Sequence, residues 1–320
     1  MARIFLTGAT ACVGHHLPHA LARAGHELDL LVRDPARLRP LPHGARYEAI
    51  QGELSDPAGY ADRLAVADYL VHAAADRGPV AGRGIDVNVA GTRKLLTGLD
   101  PDRVRRIIYF SSSSLLEPDG SLLPEELFSD HAYLASKFRA LQEVRASPLA
   151  GRTVILYPTV VFGWDAGHPP AHDSLSLRAI LGWGWLLRRV RIDAAFHYLH
   201  ARDIGRIVER LVARDQAGEA VGAEYILGNP PLTYGQCIEA VTGRPHRPWL
   251  TLSGSRMARL APLFRFTLSR YDRYALGDPH FVYAATDATA FGLERTHGDL
   301  ATLVAQHRES PGPEPLPAGE

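Results

Sequence analysis

The N-terminal stretch limits the fold more than any other part of the chain. After Arg3, a short apolar run at 4–6 gives way to small residues, with Gly8 and Gly14 among them, and a helix-like segment follows at 15–24. A short strand, a glycine turn and a helix form the start of a βαβ unit that binds dinucleotides. Gly8 permits a turn that a Cβ would obstruct, and the amides of 10–14 can face a pyrophosphate at the helix N-terminus. The simpler interpretation is a tight strand-to-helix turn that binds no ligand. Motifs elsewhere in the chain are needed to choose between this turn and a dinucleotide site.

Charge and cysteine content exclude several classes of protein. The 320 residues carry 35 basic and 35 acidic side chains, and this balance argues against a nucleic-acid partner bound by bulk electrostatics. Cys12 and Cys237 are too few for a disulfide framework, and neither belongs to a metal-ligand pair. The apolar run at 179–187 is too short to span a bilayer, and a strand begins almost at the N-terminus. We therefore expect a cytoplasmic protein without a signal peptide and without a membrane partner.

Six parallel strands are predicted by short, mostly apolar runs that are typical of a buried sheet. They cover 27–32, 45–50, 68–72, 106–110, 153–157 and 224–227, in addition to the N-terminal strand. A helix is predicted at 204–214, with Asp203 as its N-cap, and another at 233–242. The sequence therefore predicts an α/β fold with a doubly wound parallel sheet.

A serine run and a Tyr-x-x-x-Lys motif form the strongest chemical signal. Four serines end the predicted strand at 106–110, and Tyr133 and Lys137 follow about twenty residues later. The spacing places both side chains on one helix face, one turn apart. A lysine charge favours the tyrosinate, so the phenol can give or take a proton near neutral pH. Lys94 and Lys137 are the chain's two lysines, against a strong arginine bias, which indicates that position 137 needs an ammonium group.

These motifs together resemble those of extended short-chain dehydrogenases/reductases, of the NAD-dependent epimerase/dehydratase type. Residues 7–14 match TGxxGxxG except that Ala11 replaces the middle glycine. The NVAGT segment at 88–92 matches NVxGT, and its Asn88 is expected to hold the central strands together. The resemblance extends from residue 3 to about residue 230 and implies a Rossmann fold with a smaller C-terminal substrate-binding domain.

The resemblance also implies roles for individual residues. Ser113 would hydrogen-bond the substrate oxygen, with Ser112 as the alternative, while Tyr133 would be the general acid/base and Lys137 would bind the nicotinamide ribose. The implied cofactor-binding set is Gly8, Thr10, Ala11, Cys12, Val13, Gly14, Arg33, Glu53, Leu54, Ala73, Ala74, Ala75, Ser111, Tyr133, Lys137, Pro158 and Val160.

Several positions depart from the family pattern. Val32 stands where NAD-preferring members carry an acid, and Arg33 follows it, so a charge-assisted contact with a ribose 2′-phosphate favours NADP(H). The alternative is a surface arginine paired with Asp34. Glu53 replaces the aspartate beside the adenine, and Tyr157 replaces an arginine. Val160 stands where sugar-nucleotide enzymes often have an asparagine facing the diphosphate.

The expected domain boundaries follow from the same resemblance. They are 1–163 with 195–228 for the NADP-binding domain, 164–194 with 229–306 for the substrate-binding domain, and 307–320 for a disordered tail. The tail is rich in proline and glycine. His168 and His172 are separated by prolines that prevent a common helix face, so no metal site is expected.

The leading hypothesis is an NADPH-dependent ketone reductase, or the reverse alcohol dehydrogenase, for a bulky and largely apolar natural product. It depends on an aromatic-rich segment expected over the nicotinamide, which contains Trp164, Trp183, Trp185, Phe196 and Tyr198. The alternative is a sugar-nucleotide epimerase or dehydratase that retains its cofactor, because Arg188, Arg189 and Arg191 could bind a diphosphate. A third hypothesis is a non-catalytic NADP sensor, although such proteins usually lose the Tyr-Lys pair. The expected partner is a small molecule, and the candidate protein partner is a second copy of the chain.

Overall fold

A seven-stranded parallel sheet forms the centre of the protein. The computed structural model describes residues 1–76, 86–163, 183–260, 267–277 and 280–309. Its strands are β1 (Arg3–Thr7), β2 (Glu27–Val32), β3 (Arg46–Gln51), β4 (Tyr69–His72), β5 (Arg106–Phe110), β6 (Thr153–Pro158) and β11 (Glu224–Leu227). The sheet order is β3-β2-β1-β4-β5-β6-β11, and every neighbouring pair is parallel. The predicted Rossmann-type α/β fold is confirmed, and all seven predicted strands are present within one residue or so at their ends.

Helices cover both faces of this sheet. Those of the described chain are α1 (Cys12–Arg23), α2 (Ala61–Ala65), α3 (Gly91–Gly98), α4 (Ala132–Ala146), α5 (Ala201–Gln216), α6 (Tyr234–Thr242), α7 (Gly254–Leu260), α8 (Arg270–Gly277) and α9 (Leu300–Glu309), with a further short helix at 183–187. Alternate residues of β1 point to opposite faces: Ile4 and Leu6 pack with α1 and α5, whereas Phe5 packs with α3 and α4. Side chains on both faces are therefore fully buried, as a parallel sheet requires.

Short strands outside the main sheet connect the segments that follow β6. β7 (Val160–Phe162) pairs with β10 (Tyr198–His200), and β8 (Val190–Arg191) pairs with β13 (Leu250–Thr251). β9 (Ala195–Phe196) lies between β12 (Leu232–Thr233) and β14 (His280–Phe281). These pairings bring segments far apart in sequence to the region beyond the carboxyl ends of the main strands. The proposed domain boundaries stay a prediction.

The start of α5 differs from the predicted local structure. Helix α5 begins at Ala201 rather than 204, and the His200 side chain is its N-cap, accepting from the Arg202 amide. Asp203 is instead buried in the first turn and accepts hydrogen bonds from the amide and hydroxyl of Thr296. Its role is to tie the C-terminal segment to α5. The predicted tail begins inside α9, which continues to Glu309, and 310–320 lie outside the described residues.

Within the described ranges, no helix is both long and apolar enough to cross a membrane.

Candidate active site

The turn between β1 and α1 has the geometry that a dinucleotide requires. Gly8 has a φ of 85°, and a Cβ there would lie 2.6 Å from the Ala74 amide nitrogen. A Cβ on Gly14 would overlap the carbonyl oxygen of Gly8. Both positions therefore need glycine, because the first helical turn and the end of β4 pack directly against the turn.

Ala11 at the middle position of the motif is compatible with the same geometry. It is the N-cap of α1, with φ −87° and ψ 171°, a backbone conformation that any residue adopts. No side chain caps the helix, and its first turn contains no acidic residue. The helix N-terminus therefore keeps its amides and its positive dipole for an anion such as a pyrophosphate.

A cavity of about 460 Å³ extends from this turn along the carboxyl ends of the strands. It is lined by Thr7, Gly8, Thr10, Ala11, Leu31, Val32, Arg33, Gly52, Glu53, Leu54, Ser55, Ala74, Ala75, Asp76 and Val87. Eight of these belong to the predicted cofactor set. Carboxyl strand ends are where parallel α/β sheets bind nucleotides, so this cavity is the candidate NAD(P) site.

The other predicted cofactor residues are not among the described lining of this cavity, and Tyr133 and Val160 line a second one. Cys12, Val13 and Gly14 continue into α1, and the Cys12 thiol lies 3.9 Å from the Gly163 carbonyl oxygen. Ala73 and Ser111 follow β4 and β5 directly, Pro158 ends β6, and Tyr133, Lys137 and Val160 lie on α4 and β7. Asp76 was not predicted: its amide and carbonyl pair with the Asn88 side chain at 2.7 and 3.0 Å. Its pairing with Asn88 uses only the Asp76 backbone, so the residue type at position 76 could not have predicted it.

The end of β2 presents an arginine and no carboxylate to the cavity. Val32 and the exposed Arg33 line it, whereas Asp34 caps the following turn by accepting from the Ala36 amide. Asp29, within β2, is buried and forms an ion pair with Arg3 at 2.7 Å, and Glu27, at the start of β2, pairs with Arg3 at 3.5 Å. These carboxylates are therefore engaged elsewhere, and Arg33 is the basic side chain among the described lining residues, which also include the carboxylates Glu53 and Asp76.

Tyr133 and Lys137 lie one turn apart near the N-terminus of α4. The ring of His131 caps this helix by accepting from the Leu134 amide at 3.4 Å. Lys137 is only 4% exposed, and its Nζ donates to the carbonyl oxygen of Phe110 at 2.5 Å. The ammonium also lies 5.1 Å from the centre of the Tyr109 ring. Buried next to the end of β5, this charge can stabilise a neighbouring phenolate.

Two tyrosines lie near Lys137, and burial distinguishes between them. Burial raises the pKa of Tyr109 far above its usual range, with the negative charge of an ionised Tyr133 adding to the effect. Tyr109 therefore stays a phenol in the core. Tyr133 is half-buried and lines a second cavity, so it is the tyrosine that a substrate can reach.

This second cavity has a volume of about 560 Å³ and an aromatic wall. Its lining is Ser112, Ser113, Ser114, His131, Tyr133, Leu134, Thr159, Val160, Phe196, His197, Tyr271, Phe281 and Tyr283. Both candidate serines therefore share the cavity with Tyr133. Ser112 already accepts from the Ser114 amide as the cap of a 3₁₀ turn, which favours Ser113 as the ligand of a substrate oxygen.

A strap of chain at 280–283 contributes Phe281 and Tyr283 to the cavity lining and is bonded to the turn that contains Ser113. The Tyr283 hydroxyl donates to the Ser113 carbonyl oxygen at 3.1 Å, and its amide donates to His197 Nε2 at 2.9 Å. His197 Nδ1 lies 2.6 Å from the Asn229 carbonyl oxygen and must carry the proton there. Both ring nitrogens of the buried His197 are thus engaged, and the ring ties the strap to the Asn229 backbone.

The predicted tryptophan cover is wrong for the described residues. Trp183 and Trp185 are 59% and 69% exposed and do not line the cavity, while Trp164 lies outside the described residues. Phe196 does line it, whereas Tyr198 is buried beside Phe162. The rest of the aromatic wall comes from Tyr271, Phe281 and Tyr283, in a region whose sequence carries no motif.

Neither a diphosphate site nor a metal site forms in the described part of this cavity. Arg188, Arg189 and Arg191, the candidate diphosphate ligands, are absent from its described lining, where Val160 takes the family's polar position. No cluster of metal-ligating side chains occurs among the described residues. His168 and His172, for which no metal role is expected, lie outside them.

A buried histidine connects the nucleotide turn to the helix after β4. His72 Nδ1 lies 2.8 Å from the Thr7 hydroxyl, and Nε2 lies 2.9 Å from the Thr92 hydroxyl, which itself donates to the Asn88 carbonyl oxygen. Thr92 therefore accepts from Nε2–H, and Thr7 donates to Nδ1. Burial, and then the charge of Lys137, lowers the pKa of His72 to about 3. The ring is neutral in the folded protein.

This neutral histidine predicts acid sensitivity of folding. Between an unfolded-state pKa of about 6.5 and the folded value, the unfolded chain binds a proton that the folded chain does not, so stability falls as pH falls. We expect His72 to account for a loss of up to about 2 kcal/mol in the free energy of unfolding from pH 7 to pH 5. Urea denaturation at both pH values should show that His72→Gln lacks this component, while the exposed control His43→Gln retains it. An equal pH dependence in His72→Gln and the parent would contradict the assignment.

Comparisons with known proteins agree with this geometry. A family model described as NAD(P)H-binding matches residues 8–166. The 3 beta-hydroxysteroid dehydrogenase/Delta 5→4-isomerase of Mycobacterium tuberculosis is 30% identical over 99% of this chain and 87% of its own length. Sterol demethylase protein B of Methylococcus capsulatus is 29% identical over 81% of this chain and 80% of its own.

The solved structure of DesIV, a dTDP-glucose 4,6-dehydratase of Streptomyces venezuelae with NAD bound, shares the fold. It has a TM-score of 0.63 and 18% identity, covering 96% of this chain and 97% of its own.

Fold, turn geometry and relatives together define an NAD(P)-dependent oxidoreductase. More narrowly, the chain belongs to the extended short-chain dehydrogenase/reductase family and has 3β-hydroxysteroid dehydrogenase relatives.

Proposed function

We propose that the protein uses NADP(H) to interconvert a ketone and a secondary alcohol on a bulky, largely apolar polycyclic substrate of the steroid class. The observation that carries this proposal is the wall of the second cavity. Phe196, Tyr271, Phe281 and Tyr283 face the space that Ser113 and Tyr133 border, and no lysine or arginine is among its described lining residues. Such a lining suits flat apolar rings with a polar anchor at one end.

In the proposed reaction, Ser113 and Tyr133 both act on the substrate oxygen. The Ser113 hydroxyl would hold the carbonyl oxygen, and Tyr133 would donate its phenolic proton to that oxygen during reduction. Lys137, buried beside Phe110, would stabilise the resulting tyrosinate and bind the nicotinamide ribose. Gly8, the α1 N-terminus and Arg33 would hold NADP(H), which when bound would supply or accept the hydride.

The names of the relatives support this substrate class. One is a 3 beta-hydroxysteroid dehydrogenase and another is a sterol demethylase protein. A sugar-nucleotide substrate would need cations facing the cavity, and the three candidate arginines lie elsewhere. A cofactor sensor would not need the buried Lys137 beside an accessible Tyr133.

A substrate panel tests the proposal. With NADPH or NADP⁺ present, we expect 3-keto or 3β-hydroxy steroids to change absorbance at the nicotinamide band with KM values of roughly 1 μM–1 mM. UDP-, dTDP- and GDP-sugars should neither react nor bind in isothermal titration. Phe281→Ala should raise the steroid KM about two- to tenfold through lost ring contacts, with NADPH affinity unchanged. Tyr47→Ala, at an exposed site on β3, is the control.

Saturable binding of a sugar nucleotide, together with inert steroids, would overturn the proposal and favour the epimerase/dehydratase alternative. Tight NADPH binding with no turnover of any panel member would instead favour the sensor.

A further inference from the structure

An exposed patch of tryptophan and arginine lies outside both cavities. Trp183, Trp185 and Trp249 are 59%, 69% and 73% exposed, and they are three of the chain's four tryptophans. They belong to two segments, 183–191 and 244–252, which we name the tryptophan–arginine patch. Large exposed aromatic side chains are unusual on a protein surface that meets only water.

Backbone hydrogen bonds show that the two segments are neighbours. The amides of Arg247, Trp249 and Leu252 donate to the carbonyl oxygens of Arg188, Arg189 and Arg191 respectively, at 3.0–3.1 Å. The short strands β8 and β13 pair in parallel within this contact. The His246 ring is also 2.8 Å from the Val190 carbonyl oxygen, so the patch is a single folded unit rather than two separate loops.

The patch is strongly basic although the whole chain is neutral. The two segments contain Arg188, Arg189, Arg191, Arg244 and Arg247, and neither contains an aspartate or glutamate. All of these arginines except the half-buried Arg188 are exposed. Leu186 and Leu250 add apolar surface at 38% and 40% exposure.

We propose that this patch docks the protein on an anionic phospholipid surface. Tryptophan rings favour the boundary between water and hydrocarbon, because they are apolar with one polar N–H. Arginines beside them attract anionic headgroups. A second copy of the chain fits poorly, because an isologous contact would bring two sets of five arginines together. This surface contact revises the expectation of no membrane partner, which was based on the lack of a spanning segment.

The docking inference rests on the patch alone and goes beyond the proposed reaction. It also gives an apolar substrate a source, because molecules of that class partition into bilayers. Failure of steroid turnover would leave vesicle binding unaffected, so the two proposals fail separately.

Vesicle flotation tests the inference with the full-length chain. We expect the protein to float with vesicles of equimolar phosphatidylglycerol and phosphatidylcholine, and to remain behind with phosphatidylcholine alone. Because three of its four tryptophans lie in the patch, intrinsic fluorescence should shift to the blue on binding. Arg189→Gln/Arg247→Gln should weaken binding about 25-fold, from about fivefold for each arginine near an anionic surface.

Matched variants show whether vesicle binding depends on the patch itself. Trp185→Ser/Trp249→Ser should reduce vesicle binding at least about tenfold, through the loss of inserted aromatic area. Arg23→Gln/Arg202→Gln, which neutralises two exposed arginines outside the patch, should bind as the parent does. Circular dichroism checks that each variant is folded.

Three results would overturn the inference: no flotation with anionic vesicles, flotation that the patch variants leave unchanged, or binding to heparin without binding to vesicles. A dimer in light scattering that Trp185→Ser/Trp249→Ser dissociates, with no vesicle binding, would assign the patch to a second copy instead.

Discussion

Replacing Tyr133 with phenylalanine is expected to lower kcat about 10²–10⁴-fold, the usual contribution of a positioned general acid. The change removes one hydroxyl from a side chain that lines the second cavity, so the wall and the helix should remain intact. NADPH affinity should be nearly unchanged, because the described lining of the nucleotide cavity does not include this ring. Stopped-flow measurement of nicotinamide absorbance in single-turnover mode isolates the chemical step.

Tyr47→Phe, on the exposed edge strand β3, is the matched control and should retain full activity. Near-normal turnover by Tyr133→Phe would remove Tyr133 from the mechanism and would indicate a proton from water or substrate. A loss of NADPH affinity equal to the loss of rate would show that the tyrosine acts through cofactor binding instead.

Replacing Arg33 with alanine is expected to weaken NADPH binding by about 1.5–3 kcal/mol, the scale of a charged hydrogen bond, and to leave NADH almost unchanged. Asp34 and Asp29 are engaged with Ala36 and Arg3, so neither of these carboxylates pairs with the Arg33 guanidinium. Fluorescence titration of both reduced cofactors gives the two affinities directly.

Arg37→Ala provides the control for Arg33, because Arg37 is exposed on the same loop but is absent from the described cavity lining. Equal losses for NADPH and NADH in Arg33→Ala would show that this side chain does not bind the 2′-phosphate. NADPH affinity that falls only in Arg37→Ala would move the phosphate contact further along the loop.

The nucleotide half of the site could be predicted from sequence because most of its requirements are local. Gly14 is fixed by the Gly8 carbonyl of the same turn, Gly8 has a positive φ, and Tyr133 and Lys137 are placed by one helical turn. The close approach of Ala74 to Gly8 is the one long-range requirement among these. Ala11 shows that the conformation at the middle motif position, rather than the glycine itself, is what the turn needs.

The substrate half could not be predicted in the same way. Tyr271, Phe281 and Tyr283 reach the cavity through contacts with residues more than eighty positions earlier, such as the Tyr283–His197 and Tyr283–Ser113 bonds. No periodicity encodes such a contact. The aromatic content near residue 183 predicts a cover over the cavity, but Trp183 and Trp185 are exposed on the surface. The prediction fails because aromatic composition alone does not distinguish a cavity wall from an exposed face. In the same way, local sequence predicts Asp203 as the N-cap of α5, whereas its side chain binds Thr296, which is 93 residues later.

Tyr283 combines two roles in one side chain: it lines the second cavity, and it binds the backbone of Ser113. Its ring forms part of the surface that selects a ligand, and its hydroxyl holds the main chain of Ser113. Positions 196 and 281 can change the shape of the cavity without touching that serine. If this cavity holds the substrate as proposed, a substitution at 283 would change ligand choice and turnover together, so evolution of new substrates in this scaffold should proceed through 196 and 281 and retain tyrosine at 283.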